Sequence, residues 1–205
     1  MSQNIRMESN LWKFAFIGLV SVLPFLWAIS NKPSPMVPSE KSLSQSLSRL
    51  NTKEGKEISL SQAFHGKQSL VYFGILNCKT SCPTTLNRLL KWSQSSPQEA
   101  QLVFITLDPL KDNSEQLNSY FENRKSNVIW LRPSSTTDAI QIARSFGIPI
   151  LPKINGIEHP DTVVWVDSSA KIRGIFPNFN ESWREASKNL AKYAFNTNSD
   201  SETGL

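Results

Sequence analysis

Cysteine and histidine are scarce in this sequence, whose 205 residues include two of each. Two cysteines cannot cross-link a chain of this length, so a disulfide-stabilised scaffold is excluded and stability has to come from packing. Apolar residues make up 39% of the chain, which is enough for an ordinary core. Any thiol chemistry therefore depends on Cys78 and Cys82, and a site for a soft metal would draw on these two and on His65 or His159.

Strong charge patterning is also missing. The chain has 22 basic and 17 acidic residues, a net charge of +5 and no run of five basic residues. A scattered surplus of this size is typical of a soluble surface and gives no reason to predict nucleic-acid binding. The length fits one ordinary domain with appendages, and no internal repeat is visible.

The first thirty residues differ in kind from the rest. From Phe14 to Ile29 sixteen residues carry no charge, close to the about 17–25 that a membrane-spanning helix needs. We predict an uncleaved, single-pass transmembrane helix at 14–30 after a short cytoplasmic terminus at 1–13. A cleaved signal peptide is the alternative. Residues 31–56 are rich in serine, proline and lysine, and this composition predicts a solvated linker.

Segments with the patterns of strands and helices alternate after residue 57. Continuous apolar runs suit strands buried on both faces, whereas apolar residues three and four positions apart suit amphipathic helices. The order predicts an α/β sandwich with a mixed central sheet over 57–195, followed by a flexible tail at 196–205. The predicted strands are 69–75, 102–107, 128–131, 162–167 and 171–176, the last two forming an antiparallel hairpin, and the predicted helices include 113–124, 136–147 and 181–195.

The two cysteines come directly after the first central strand, at the start of the next helix. Open α/β sheets place their chemistry at that edge. Pro83 suits a first helical turn, so the sulfurs of Cys78 and Cys82 should lie near the positive end of the helix dipole, which lowers a thiol pKa. Three interpretations remain open: two structural cysteines, a thiol–disulfide exchange pair and a soft-metal site.

The two histidines differ in their surroundings. His65 lies in a polar connection before the first central strand and is predicted to be an exposed loop residue. His159 lies just ahead of the strand predicted at 162–167. Because two thiolates are few ligands for Cu(I) or Zn(II), a third ligand is expected elsewhere in the chain, and His159 is the candidate.

A set of motifs, in the same order along the chain, resembles the Sco/SenC family. The most specific is C-x-x-x-C-P after a Y-F-G strand, within "GKQSLVYFGILNCKTSCPTTLNRL" at 66–89. Three shorter motifs accompany it: "VFITLDP" at 103–109, "ARSFGI" at 143–148 and "EHPDTVVWVD" at 158–167. The resemblance covers roughly residues 57–195, and an amino-terminal membrane anchor is also usual in that family.

The resemblance implies a thioredoxin-like fold that binds one copper ion through Cys78, Cys82 and His159. It also implies delivery of copper to the binuclear copper centre of cytochrome c oxidase, or reduction of the cysteines there. The implied partners are that oxidase subunit and another copper chaperone or thiol reductant. Both functions require a compartment in which the cysteine pair can cycle between thiols and a disulfide. Together with the anchor, this requirement predicts a bacterial inner-membrane protein whose soluble domain lies in the periplasm.

Two residues and two alternative functions bear on this interpretation. Lys79, between the cysteines, favours a reactive thiolate but opposes a bound cation. Asp108 occupies the place of an acidic residue near the family's site. A thiol–disulfide reductase would need both cysteines but not His159, so metallochaperone and oxidoreductase both stay open. A peroxide-reducing thiol protein, with Thr85 and Arg88 following the cysteines, is a third interpretation.

Overall fold

An eight-stranded mixed sheet forms the centre of the fold. The computed structural model describes residues 36–43, 50–76, 78, 82–95, 100–122, 124, 128–153 and 156–194. In chain order the strands are β1 (Val37–Pro38), β2 (Leu50–Asn51), β3 (Glu57–Ile58), β4 (Gln68–Gly74), β5 (Ala100–Thr106), β6 (Val128–Pro133), β7 (Leu151–Lys153), β8 (Gly156–Glu158), β9 (Val163–Val166) and β10 (Ile172–Phe176). Across the sheet the strand order is β1-β10-β9-β4-β5-β6-β2-β3, and β7 and β8 form a separate two-stranded sheet.

Parallel pairing holds the middle of the sheet together, and antiparallel pairing extends it on both sides. β4 is parallel to β5, and β5 is parallel to β6. β9 runs antiparallel to β4, and β10 runs antiparallel to β9 as the predicted hairpin. The described helices are α1 (Leu60–Phe64), α2 (Cys82–Ser95), α3 (Ser114–Glu122), α4 (Thr136–Ser145) and α5 (Phe179–Ala194).

Two apolar clusters lie on opposite faces of the sheet. Along β4, Leu70 and Tyr72 belong to the cluster that includes α2, α3 and α5, whereas Val71 and Phe73 belong to the cluster that includes α1 and α4. Successive side chains of a strand point to opposite faces, so both faces of β4 are covered. The predicted α/β sandwich with a mixed central sheet is thereby confirmed.

Local sequence signals explain where α4 begins and ends. The Ser135 hydroxyl accepts a hydrogen bond from the backbone N–H of Asp138 at 3.1 Å and caps the first turn. Gly147 follows the helix with φ of +81°, a conformation that glycine adopts without steric cost. The N–H of Ile148 then donates to the carbonyl of Ala143 at 3.0 Å, which satisfies a carbonyl of the last turn.

The folded unit begins earlier than the sequence predicts. The prediction is a solvated linker over 31–56, but the described residues 36–43 and 50–56 belong to one compact unit with the sheet. β1 pairs with β10 at one edge, and β2 pairs with β6 towards the other. The structure therefore corrects the boundary predicted at residue 57.

Short strands and isolated apolar residues account for that error. β1 and β2 are two residues long, too short for the alternation that identifies a strand. Leu43 and Leu50 stand among polar residues in the sequence, yet they are 6% and 0% exposed in the cluster that includes α1 and α4. The polar composition of this segment hides its two contributions to the core.

The predicted membrane anchor at 14–30 lies outside the described residues. Within the part of the chain that the structure describes, no helix has both the length and the apolar character needed to cross a bilayer.

The corrected boundary predicts unequal effects of two truncations before residue 57. Leu50→Ala removes a fully buried side chain and should cost about 2–5 kcal/mol of unfolding free energy. Val37→Ala changes a side chain that is 53% exposed and should cost less than about 0.5 kcal/mol. Urea unfolding of the purified variants measures the loss of unfolding free energy in each. Equally small losses would show that Leu50 belongs to a linker and not to the core.

Candidate metal centre

The neighbouring strands β4 and β9 bring the cysteines to the histidine. They are antiparallel, with Tyr72 opposite Val163, so the carboxyl end of β4 lies beside the amino end of β9. The chain leaves β4 into the loop that carries Cys78 and enters α2 at Cys82, whereas His159 lies just before β9. Sheet topology therefore places all three predicted site residues at one edge of the fold.

The three side chains present two sulfur atoms and one ring nitrogen to a common point. The ligand atoms of Cys78, Cys82 and His159 all lie within 4.8 Å of one another. The Cys82 Sγ is 3.2 Å from the His159 Nε2, and the two cysteines are not joined by a disulfide. Ligand atoms this close can bind one metal ion after small side-chain movements, because metal–sulfur and metal–nitrogen bonds are about 2.0–2.3 Å long.

The ring of His159 is oriented by the next residue. Its Nδ1 lies 3.2 Å from the Pro160 carbonyl oxygen, which can only accept a hydrogen bond. Nδ1 therefore carries the proton and donates it, leaving the Nε2 lone pair to face the sulfurs. A backbone carbonyl on the distant nitrogen is the usual support of a metal-binding histidine.

Burial favours the neutral forms of Cys82 and His159 in the metal-free site. Burial, and after it the neighbouring Cys78 side chain, raises the pKa of Cys82 to about 12. Burial also lowers the pKa of His159 below its ordinary value. The predicted lowering of the thiol pKa by the helix dipole is therefore wrong for Cys82, since desolvation of a thiolate outweighs the field of the helix. A metal that binds here has to displace the thiol proton.

Tyr72 forms the floor beneath the histidine. Its ring is fully buried and meets the His159 ring edge to face, with centroids 6.5 Å apart. A Cβ at Gly74 would lie 3.0 Å from the rings of both Tyr72 and Phe104, so a larger residue here would require these rings to shift by a few tenths of an ångström. Among the described residues no group meets the geometry of a hydrogen bond to the Tyr72 hydroxyl, but the side chains of Cys82 and Thr85 are its polar neighbours. The sequence shows Tyr72 only as part of the Y-F-G strand.

A polar network lies one helical turn away from Cys82. The Thr85 hydroxyl donates to Asp161 Oδ1 at 2.5 Å, and the backbone N–H of Asn180 donates to Asp161 Oδ2 at 2.7 Å. The Asn180 side-chain amide donates to the Thr85 hydroxyl oxygen at 2.7 Å. The network joins α2, α5 and residues 159–162, which carry His159 and are called the histidine segment below. The sequence gives no sign of it, because its members are far apart along the chain.

Arg88 also contacts α5. It donates to the Asn180 backbone carbonyl at 2.6 Å and to the Asn180 Oδ1 at 3.0 Å, and its guanidinium lies 6.0 Å from the centre of the Trp183 ring. The hydrogen-bond partners of Thr85 and Arg88 thus lie in α5 and the histidine segment. These contacts do not favour the peroxide-reducing interpretation, which needs both residues directed at a cysteine.

Asp112, and not Asp108, supports the cysteine loop. Asp108 forms an ion pair with Lys111 at 3.1 Å. The fully buried Asp112 accepts hydrogen bonds from the Leu76 N–H at 3.1 Å and the Thr106 hydroxyl at 2.7 Å, and burial raises its pKa. Asp112 thereby ties the start of the cysteine loop to the end of β5. In the sequence it resembles an ordinary loop aspartate.

His65 and Glu158 both lie outside the cluster of ligand atoms. His65 is exposed after α1, as predicted, and is not part of the cluster of Cys78, Cys82 and His159. Glu158 forms an ion pair with Lys153 across the β7–β8 hairpin. Lys79, predicted to place a positive charge beside the thiolates, lies outside the described residues.

A family model described as SCO1/SenC matches residues 39–194 of this sequence. The chain belongs to the SCO1/SenC family. The match includes all three residues of the cluster and begins before residue 57, in agreement with the earlier start of the folded unit. The resemblance of the sequence motifs to the Sco/SenC family is thereby confirmed.

Similar proteins support membership of the Sco family. An SCO2-like protein from Rickettsia typhi is 30% identical over 138 residues, which cover 61% of this chain and 67% of the relative. Across the curated relatives, the matched part covers 27–67% of the relative's own length.

Solved structures share the Sco fold. Arabidopsis thaliana ScoI with copper bound has a TM-score of 0.58 at 20% identity, covering 71% of this chain and 96% of that chain. BsSco, described as having a disulfide switch and as a member of the Sco family of cytochrome c oxidase assembly proteins, has a TM-score of 0.60 at 19% identity, covering 76% and 95%. These TM-scores show a common thioredoxin-like fold. Because the identities are low, the chemistry of this chain has to be argued from its own residues.

The buried carboxyl of Asp112 predicts a specific pH dependence of stability. Its pKa is raised above 3.8 in the folded protein, so its contribution to stability is fully present below the unfolded pKa and is lost as pH rises through the folded pKa. Asp112→Asn keeps an acceptor oxygen but does not titrate. The stability of the wild type relative to this variant should therefore decrease as the pH rises from the ordinary pKa of 3.8 through the raised pKa of the folded protein, as measured by urea unfolding. A difference that is constant across this range would contradict the assignment.

Proposed function

We propose that this protein binds one copper ion through Cys78, Cys82 and His159 and delivers it to the binuclear copper centre of cytochrome c oxidase. The observation that carries the proposal is the convergence of two sulfur atoms and one unprotonated ring nitrogen within 4.8 Å. Thiolate and imidazole ligands select Cu(I) and Zn(II) over hard cations. Copper is favoured because solved Sco structures are described as copper-bound and BsSco as one of a family of oxidase assembly proteins.

The arrangement suits temporary binding of the ion. Three protein ligands leave a soft cation accessible to a fourth, which an incoming thiolate of the partner can supply. Cys78 is half-buried, so the ion can be approached from its side of the site, whereas Cys82 is buried beneath it. Oxidation of the two cysteines to a disulfide would remove two of the three ligands, so loading would depend on a reducing partner.

The proposed location follows from the amino-terminal sequence. The apolar segment at 14–30 is proposed as a single transmembrane helix in a bacterial inner membrane, with the folded unit in the periplasm. The copper-centre subunit of the oxidase and a second copper chaperone or thiol reductant are the proposed partners in that compartment.

Ligand substitutions test the copper proposal. The reduced wild-type protein should bind one Cu(I), and Cys78→Ser and Cys82→Ser should abolish stoichiometric binding. His159→Ala should weaken binding by more than the about 10–100-fold that loss of an outer-shell partner costs. Metal analysis and competition with a Cu(I) chelator measure these effects.

His65→Ala is the matched control, because it removes the other histidine of the chain from an exposed position. It should bind copper as the wild type does. If His159→Ala also kept full stoichiometry and an unchanged thiolate-to-copper charge-transfer band with Cu(II), the three-ligand site would be refuted.

Thiol–disulfide reduction is the second candidate function, and the unequal burial of the cysteines favours it. Cys78 is half-buried and Cys82 is 3% exposed. The Cys78 thiolate would attack a partner disulfide, forming a mixed disulfide and releasing one partner thiol. Cys82, once deprotonated, would then attack the Cys78 sulfur, closing the internal disulfide and releasing the second thiol, so that two electrons pass to the partner.

This asymmetry predicts which variant traps the mixed disulfide. With oxidised glutathione as the model disulfide, Cys82→Ser should accumulate a one-to-one adduct on Cys78. Cys78→Ser should react at least about tenfold more slowly, because its remaining thiol is buried and has a high pKa. Mass spectrometry follows both reactions, and equal adduct formation by the two variants would reverse the assigned roles.

A further inference from the structure

Two contacts connect the cysteine helix to the histidine segment. The first joins Cys82 Sγ to His159 Nε2 at 3.2 Å, and the second joins the Thr85 hydroxyl to Asp161 Oδ1 at 2.5 Å. Thr85 lies one turn after Cys82 on α2, and Asp161 lies two residues after His159. The second contact therefore holds the same two segments together without using either ligand atom.

Asp161 is held by three hydrogen bonds from two helices. Besides the Thr85 hydroxyl, its carboxylate accepts the backbone N–H of Asn180 at 2.7 Å, and its backbone carbonyl accepts the N–H of Phe179 at 2.9 Å. Both donors belong to the first residues of α5. Thr85 is itself fully buried and accepts the Asn180 amide. The segment that carries His159 is thus held against two helices by Asp161.

We propose that the Thr85–Asp161 hydrogen bond is a latch that positions His159 and limits the rate at which the metal leaves the site. The inference rests on the copper-carrier function proposed above and adds a positioning pair to it. When Cys82 exchanges its bond to the metal for one to another partner, the first contact is lost but the latch remains. His159 then stays within reach of the ion, so the ion is recaptured before it leaves.

The latch has the strength that this role requires. A hydroxyl that donates to a carboxylate forms a charge-assisted bond, which is stronger than a bond between neutral groups. Thr85 is fully buried, which keeps water away from its hydroxyl, whereas Asp161 is partly exposed. Loss of the bond should free the residues around His159 to move, although the three ligand atoms would remain in the chain.

Release of Cu(I) from the reduced protein tests the latch. Thr85→Val keeps the shape of the side chain and removes the hydroxyl that donates to Asp161 and accepts from Asn180. Release to a chromogenic Cu(I) chelator should then be about tenfold faster. Thr85→Ser restores the hydroxyl and should keep the wild-type rate. Thr84→Val is the matched control, because Thr84 is an exposed neighbour on the same helix, and it should also release at the wild-type rate.

A double-mutant cycle separates positioning from a general loss of stability. If Thr85 acts through His159, Thr85→Val should no longer accelerate release in the His159→Ala background. The same tenfold acceleration in both backgrounds would show that Thr85 only stabilises the fold and would overturn the proposal. Equal release rates for the wild type and Thr85→Val would overturn it as well.

A measurement on the metal-free protein separates failure of the latch from failure of the copper proposal. Nuclear magnetic resonance of the His159 ring should show Nδ1 protonated in the wild type and a mixture of tautomers in Thr85→Val, with faster backbone motion at 159–161. Such a change would support the positioning of His159 even if the wild type bound no Cu(I). An unchanged ring and backbone in Thr85→Val would refute the latch whatever the metal result.

Discussion

The antiparallel pairing of β4 with β9 is the constraint on which the site depends. It places the carboxyl end of one strand beside the amino end of the other, so Cys82 and His159, 77 residues apart, come within 3.2 Å. Two of the ligands lie next to regular elements: Cys82 begins α2, and His159 follows β8 and precedes β9 by four residues. The geometry of these two ligands is thus a property of the sheet, and Cys78 lies between β4 and α2.

Burial of this centre has a chemical consequence. Buried groups that can carry charge tend towards their neutral forms, which here means a protonated Cys82 and an unprotonated His159 Nε2. A soft cation that binds Cys82 replaces the thiol proton and so stabilises the thiolate that burial disfavours. The imidazole of His159 already offers the lone pair of Nε2 and has no proton to lose there. The outer contacts, from Pro160 to the Asp161 network, prepare the nitrogen and hold it in place before any metal arrives.

Sequence patterns predict the elements that have a regular apolar pattern and the residues whose type is rare in the chain. The apolar runs around Val71 and Val103 predict central strands, and the scarcity of cysteine and histidine isolates the three residues of the cluster. Leu50 is missed because Leu43, Leu47 and Leu50 follow the spacing of a helix, whereas Leu50 lies in a two-residue strand. The Thr85–Asp161 contact joins distant residues of ordinary types, so only the folded chain reveals it. The raised pKa of Cys82 is missed for a related reason, since burial is a property of the fold.

Gly74 shows that the site also depends on empty space. A methyl group at this position would meet the ring of Tyr72, which in turn lies against the imidazole of His159. A substitution that displaces the Tyr72 ring would act on His159 through their contact, while leaving both sulfur atoms and the imidazole in the sequence. Homologues that keep all three donors but carry a larger residue at this position should therefore not be assumed to handle metal in the same way.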